Sequence, residues 1–140
     1  MNKKVLVSGC FDMLHSGHIA FLESAAAYGE LHVGLGSDQT LFNLKGRPPV
    51  NDERERLFMI QAINCVKGAF ISQGSGILDF SAEIETLQPD LFVVNQDGNV
   101  PEKQQFCQQL GIKYIVLSRK PHDNLHMRST TSLREIDQMP

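Results

Sequence analysis

The chain has 140 residues, of which 41% are hydrophobic and 21% are charged, and its formal net charge is −3. This length suits one domain that buries a real core, and the composition excludes an intrinsically disordered chain. The negative charge argues against a nucleic-acid duplex as partner, because proteins that bind duplexes usually carry a basic excess. It is compatible with a local basic pocket for a small anion.

Short apolar strands alternate with amphipathic helices along the chain. A first strand at residues 4–8 leads into a helix over residues 16–28, which Gly29 closes. A second strand at 31–36 precedes a proline-rich loop at 45–50. The later elements are, in chain order, a helix capped by Asn51 or Asp52, a strand at 69–71, a helix at 81–87, a strand at 91–94, a helix at 101–110 and a strand at 112–117.

Five strands that alternate with helices predict an α/β fold. The expected architecture is a Rossmann-like, doubly wound sheet of five parallel strands, in a single domain over residues 1–140. The strands are continuous apolar runs, which is typical of strands covered on both faces. Such sheets bind ligands beyond the carboxyl ends of their strands. This rule places the functional site among residues 8–18, 36–47, 95–99 and 118–131.

The chain has three cysteines, Cys10, Cys65 and Cys107. Their number is odd, so they cannot all pair in disulfides, and their spacing is not that of metal ligands. The apolar run near the start of the chain is too short for a secretory signal, and no apolar stretch is long enough to span a bilayer. We therefore expect reduced thiols in a cytoplasmic protein without a membrane partner.

The segment that follows the first strand holds the most informative residues of the chain. His15 and His18 lie three residues apart at the start of a helix, so both imidazoles can face one ligand. The helix N-terminus offers backbone N–H groups and partial positive charge to an anion, and Gly17 permits close approach to the backbone. Imidazoles placed here can donate hydrogen bonds to phosphoryl oxygens while charge develops in a transition state.

The run from Gly9 to His18 resembles the G-x-F-D-x-x-H-x-G-H signature of the cytidylyltransferase-like nucleotidyltransferases. Further similar segments are Ser37-Asp38, the stretch from Leu44 to Asn51 with Arg56, and the run from Arg128 to Thr131. Together these matches extend from residue 5 to about residue 133. The resemblance implies that the phosphate of a small acceptor attacks the α-phosphate of a nucleoside triphosphate in line, and that pyrophosphate leaves.

The resemblance also implies a set of site residues. His15, His18, Lys45 and Arg128 would be catalytic, with Mg²⁺ bound mainly through the triphosphate and no metal ligands supplied by the chain. Family members are commonly homodimers. The nucleotide would contact Ser8, Gly9, Cys10, Phe11, Asp12, Gly17, Asp97, Ser129, Thr130 and Thr131, and the acceptor would contact Asp38, Lys45 and Arg56.

Each of these residues has a structural alternative. The two histidines can be surface residues beside a turn, and Lys45 a solvated loop residue. A zinc site at the histidines lacks further Cys or His ligands at suitable spacing. Arg56 can belong to a solvated, paired helix face, and Asp12 can orient the turn rather than touch substrate. Ser129-Thr130-Thr131 can be a helix N-cap, which uses the same geometry as phosphate binding.

A closer resemblance to one subgroup of this family indicates the acceptor. The stretch from Leu44 to Asn51 is most similar to heptose-1-phosphate adenylyltransferase domains, which are often fused to sugar kinases, so the chain can be one domain of a longer polypeptide. Residues 95–98, Asn-Gln-Asp-Gly, keep an acid but lack the lysine and aromatic residue that relatives often carry there. We expect a sugar 1-phosphate acceptor with ATP or CTP. The alternatives are an alcohol phosphate such as glycerol 3-phosphate with CTP, and a non-catalytic nucleotide-binding module.

Overall fold

A computed structural model of the protein describes residues 3–118. None of the helices in this range combines the length and apolarity that crossing a membrane requires. The described elements are β1 (Lys4–Gly9), α1 (Ser16–Ala26), β2 (Glu30–Leu35), α2 (Asp38–Lys45), α3 (Glu53–Gln61), β3 (Val66–Ile71), α4 (Ser81–Leu87), β4 (Leu91–Asn95), a 3-10 turn (Gln96–Gly98), α5 (Pro101–Leu110) and β5 (Lys113–Leu117).

The strands form one five-stranded sheet in the order β3-β2-β1-β4-β5, and all the neighbouring strands pair in parallel. The predicted doubly wound parallel sheet is therefore confirmed. The chain moves outward in one direction from β1 to β3 and in the other from β4 to β5, so the direction reverses between β1 and β4. In open parallel sheets the crevice at this reversal is the usual place for a ligand.

Alternate residues of each central strand face opposite layers of helix. Val5 and Val7 of β1 belong to one core cluster, to which α1 contributes Leu22 and α3 contributes Ile60. On the other face of the sheet Leu6 packs with helix residues, among them Phe80 just before α4, Ile84 of α4 and Cys107 of α5. Both faces of β1 and β4 are thus covered, which explains why these strands are continuous apolar runs.

Two boundaries differ from the predicted ones by two or more residues, for identifiable reasons. Helix α1 ends at Ala26, and Gly29 instead lies so close to the backbone that a β-carbon there would be 2.3 Å from the Lys3 carbonyl oxygen. Strand β3 begins at Val66 rather than at residue 69. The predicted start was too late because Lys67 and Gly68 interrupt the apolar pattern of this edge strand. The open choice at the start of α3 is resolved, since the Asp52 side chain accepts a hydrogen bond from the Glu55 N–H.

Candidate functional site

The loop after β1 has a conformation that the spacing of Gly9 and Phe11 explains. A β-carbon on Gly9 would lie 2.9 Å from the Phe11 ring, so glycine is needed for the ring to fold back over the strand end. Phe11 and Met13 both have left-handed backbones, with φ of 52° and 53°, and such strain costs about 1–2 kcal/mol per residue. The ring of Phe11 meets that of His18 edge-on, with 5.3 Å between centroids. The strained loop therefore supports the second histidine.

His15 and His18 form a reciprocal cap at the start of α1. The Nδ1 atom of His15 accepts from the Gly17 N–H at 3.0 Å, and the Nδ1 atom of His18 accepts from the His15 N–H at 3.2 Å. A ring nitrogen that accepts a hydrogen bond carries no proton, so in each neutral imidazole the donor is Nε2–H. The rings stack with 3.8 Å between centroids. The two imidazoles therefore lie together, as predicted.

A cleft of about 860 Å³ lies at the carboxyl ends of the central strands, which is a usual volume for a small-molecule site. Of the predicted residues that the structure describes, most line it: Ser8, Gly9, Cys10, Phe11, His15, Gly17, His18, Lys45 and Asp97. Asn95, Gly98 and Ser118 also line it, and they lie in the segments 95–99 and 118–131 to which the sequence pointed. Sequence reasoning missed the rest of the described lining: Ala20, Phe21, Ser24, Val94, Lys103, Val116 and Leu117.

Lys103 is the most important of the missed residues. It lies in the first turn of α5, is half-buried, and its Nζ atom donates to the Gly98 carbonyl oxygen at 3.3 Å. Burial lowers the pKa of the Lys103 ammonium, and the Asp79 carboxylate nearby acts in the opposite direction. A lysine early in a helix that directly follows the predicted ligand segment 95–99 is the signal that would have found it.

Neither Arg56 nor Asp38 is among the described residues that line the cleft, and Arg56 requires a correction because it is buried. The Arg56 side chain is fully buried, and it donates to the carbonyl oxygens of Asn51, Cys10 and Gly36 at 2.8–3.0 Å. Its Nη2 atom lies 2.7 Å from the Asp38 carboxylate. A side chain without exposed surface is not accessible to a substrate, and it is not a solvated helix face either. Arg56 instead ties the loops after β1 and β2 to the start of α3.

Asp12 has the orienting role that was the alternative to substrate contact. Its side chain is buried, and its two carboxylate oxygens accept hydrogen bonds from the backbone N–H groups of Val50 and Asn51 at 2.8 and 2.9 Å. It lines a small side cavity together with Lys45 and Arg47 rather than the main cleft. Asp12 thus connects the strained loop to the proline-rich loop that follows Lys45.

Burial also affects the protonation of Cys10, which lines the cleft, and of Asp79, which is not among the described lining residues. It raises the pKa of the Cys10 thiol, which favours the neutral, weakly nucleophilic form at neutral pH. It raises the pKa of the Asp79 carboxyl from 3.8 to about 6, although the Lys103 ammonium partly opposes this and Glu83 adds to it. The thiol is therefore not suited to covalent catalysis.

The raised pKa of Asp79 predicts a stability that depends on pH. Because the folded state favours protonated Asp79, this contribution is intact below about pH 4 and is lost as pH rises through about 6. The Asp79→Asn variant stays neutral, so its unfolding free energy relative to wild type should increase by about 2 kcal/mol between pH 4 and pH 8. Urea unfolding across this range measures the difference, and a constant difference would contradict the burial argument.

Some predicted groups lie beyond what the structure describes, namely Arg128, Ser129, Thr130 and Thr131. Within residues 3–118, no three His, Cys, Asp or Glu side chains are grouped so that they could hold a metal ion. Asp97 is the acidic residue in the described lining of the cleft. This donor set fits Mg²⁺ that enters on a triphosphate, since phosphate oxygens and water would then be its principal ligands.

Comparison with known proteins places these residues in context. A sequence profile described as cytidylyltransferase-like matches residues 6–139. The chain is 33% identical over 139 residues to "FAD synthase" of Methanopyrus kandleri, covering 95% of this chain and 90% of that protein. It is 36% identical over 97 residues to "Bifunctional protein HldE" of Helicobacter pylori, covering 68% of this chain but only 20% of that longer protein.

Solved structures share the architecture. The lipopolysaccharide core biosynthesis protein from Thermoplasma volcanium superposes with a TM-score of 0.71 at 28% identity, covering 88% of this chain and 100% of that one. Pantothenate synthetase from Thermus thermophilus reaches a TM-score of 0.60 at 14% identity, covering 95% of this chain and 64% of that one, which is a likeness of fold alone.

Proposed function

The chain belongs to the cytidylyltransferase-like family and is a nucleotidyltransferase, and we propose that it transfers the adenylyl group of ATP to a sugar 1-phosphate. The observation that carries the proposal is the pair of stacked imidazoles, which cap α1 through Nδ1 in the cleft at the β1–β4 reversal. This pair supports a role for both Nε2–H groups as donors to triphosphate oxygens.

The proposed reaction is a single in-line displacement. A phosphate oxygen of the acceptor attacks the α-phosphorus, a new P–O bond forms, and the bond to the bridging oxygen of the β-phosphate breaks as pyrophosphate leaves. Catalysis then consists of positioning and charge stabilisation, because the chain need not form a covalent intermediate. The neutral Cys10 thiol is consistent with this scheme.

Individual residues are proposed for each phosphate. His15 and His18 hold the triphosphate and donate to its oxygens as negative charge develops, supported by the N-terminus of α1. Lys45, at the exposed end of α2 and in the lining of the cleft, neutralises the α-phosphate. Arg128 with Ser129, Thr130 and Thr131 grips the β- and γ-phosphates. Mg²⁺ bound to the triphosphate supplies counter-charge.

The choice of ATP and of a phosphomonoester acceptor rests on the relatives. FAD contains an adenylyl group, so the name of the relative that covers 95% of this chain supports ATP as the donor. The similarity to HldE agrees with the heptose-1-phosphate adenylyltransferase resemblance of residues 44–51. Ser8, Gly9, Phe11, Gly17 and Asp97 remain proposed contacts of the nucleotide.

The proposal is tested by pyrophosphate release. Each of ATP, CTP, GTP and UTP is combined with glucose 1-phosphate, heptose 1-phosphate, glycerol 3-phosphate or flavin mononucleotide, in the presence of Mg²⁺. We expect release with ATP and a sugar phosphate. Release with CTP and glycerol 3-phosphate alone would favour the alcohol-phosphate alternative. Nucleotide binding without release from any pair would favour the non-catalytic module.

We also propose a homodimer, as the family resemblance implies. Large apolar side chains are exposed along one stretch of chain, with Phe42 and Leu44 on α2, Val50 in the following loop, and Phe58 on α3, which is 73% exposed. Exposed apolar groups of this size are typical of protein interfaces. Light scattering should give twice the monomer mass, and a monomer at micromolar concentration would contradict the proposal.

A further inference from the structure

Among the described residues that line the cleft, the lysines come from two helices, with Lys45 at the end of α2 and Lys103 in the first turn of α5. Helix α5 packs on the face of the sheet opposite to α1, since Cys107 and Leu22 belong to different core clusters. Lys103 and the two histidines therefore enter the cleft from helices on opposite faces of the sheet.

The surroundings of Lys103 favour an anionic ligand. The residue is half-buried, and its Nζ atom donates a long hydrogen bond of 3.3 Å to the neutral carbonyl oxygen of Gly98. A partly desolvated ammonium is costly unless a charged acceptor compensates it. The Asp79 carboxylate, which raises the pKa of Lys103, is itself buried and is not among the described residues that line the cleft, so it does not occupy the cleft side of the ammonium.

We propose that Lys103 binds the phosphate of the acceptor, which makes it a substrate-binding and specificity-determining residue of the transfer reaction. This inference rests on the proposed function. In-line displacement places the attacking oxygen and the departing pyrophosphate on opposite sides of the α-phosphorus. If the histidines of α1 hold the triphosphate, a cation from the opposite face of the sheet is suited to the attacking phosphate.

The segment beside Lys103 indicates which acceptors the site should bind. Residues 95–98, the end of β4 and the 3-10 turn after it, carry no basic side chain, and the carbonyl of Gly98 holds the Lys103 ammonium at the cleft lining. The ammonium exchanges this carbonyl for a phosphate oxygen when the acceptor binds. The site should therefore require a phosphomonoester dianion and should reject the same sugar or alcohol without its phosphate.

The test compares Lys103→Ala and Lys103→Arg with the control Lys113→Ala, which removes an exposed lysine at the opposite, amino end of β5. The acceptor is glucose 1-phosphate, glycerol 3-phosphate or flavin mononucleotide, whichever wild type uses fastest. We expect Lys103→Ala to raise the acceptor KM by about tenfold to a hundredfold, because one charge-assisted hydrogen bond to the acceptor is lost. Lys103→Arg keeps the positive charge and should bring the acceptor KM most of the way back to the wild-type value. The control should match wild type.

A second measurement separates the acceptor from the nucleotide. The rise in melting temperature that ATP alone produces should be the same in wild type and Lys103→Ala, which also verifies that the variant folds. A smaller rise with an unchanged acceptor KM would overturn the inference and assign Lys103 to the nucleotide. Unchanged kinetics in Lys103→Ala would overturn it while the proposed function stands. A wild-type protein that transfers nothing would overturn both.

Discussion

Replacing His18 by alanine should lower kcat for pyrophosphate release by about a hundredfold to a thousandfold. The reason is that the proposed Nε2–H donor acts where charge develops, and the loss of one such preorganised donor typically costs this much. The variant should also lose about 1 kcal/mol of stability, because the Nδ1 atom of His18 caps the His15 N–H. Steady-state kinetics and urea unfolding measure the two effects separately.

Two further substitutions separate catalysis from capping at this position. Asparagine places an acceptor near the Nδ1 position but has nothing at Nε2, so His18→Asn should keep wild-type stability and lose activity as alanine does. Glutamine reaches the Nε2 position instead, so His18→Gln should lose the cap and keep part of the activity. Full activity in His18→Asn would show that the residue acts only through the structure of α1.

Replacing Arg56 by alanine should have the largest effect on stability, about 3–5 kcal/mol. The buried guanidinium satisfies the carbonyl oxygens of Cys10, Gly36 and Asn51 and pairs with Asp38, and its removal leaves these groups buried without their donor. The midpoint of urea unfolding measures the loss. Arg56→Lys should recover only part of it, because an ammonium cannot reproduce the planar fork.

Arg54 provides the matched control, since it lies on the same helix and is exposed. Arg54→Ala should change the unfolding free energy by no more than about 0.5 kcal/mol. An Arg56→Ala protein with the unfolding midpoint of wild type and a raised acceptor KM would contradict the structural role. It would return Arg56 to the substrate-binding set that the sequence suggested.

The fold and one wall of the cleft could be predicted because their causes are local. Apolar runs separated by glycine and proline mark the strands, and the spacing of His15 and His18 places both rings on one helix face. The packing of Phe11 over Gly9 is local too, since the two residues are neighbours in the loop. Such features need no knowledge of how distant elements meet.

The sequence pointed to residues 95–99 on the other wall, but the contribution of α5 to this wall was not predicted, because it depends on how distant elements pack. Lys103 and Asp79 influence each other's charge only after α5 and the segment that leads into α4 pack on the same face of the sheet. Arg56 looks like its charged neighbours in sequence, and burial alone distinguishes it. One local signal existed, since Arg56 precedes the buried Ile60 by four residues and so shares its helix face.

We expect the cleft at His15 and His18 to transfer a nucleotidyl group, and two labelled forms of ATP distinguish this transfer from that of a terminal phosphate. When the α-phosphate of ATP is labelled, the wild-type protein should transfer the label to the acceptor. When the γ-phosphate is labelled, the label should leave in pyrophosphate. A variant that lacks both imidazoles should do neither while still folding. Transfer of the γ-label to the acceptor, or undiminished transfer of the α-label by the double variant, would contradict nucleotidyl transfer at these histidines.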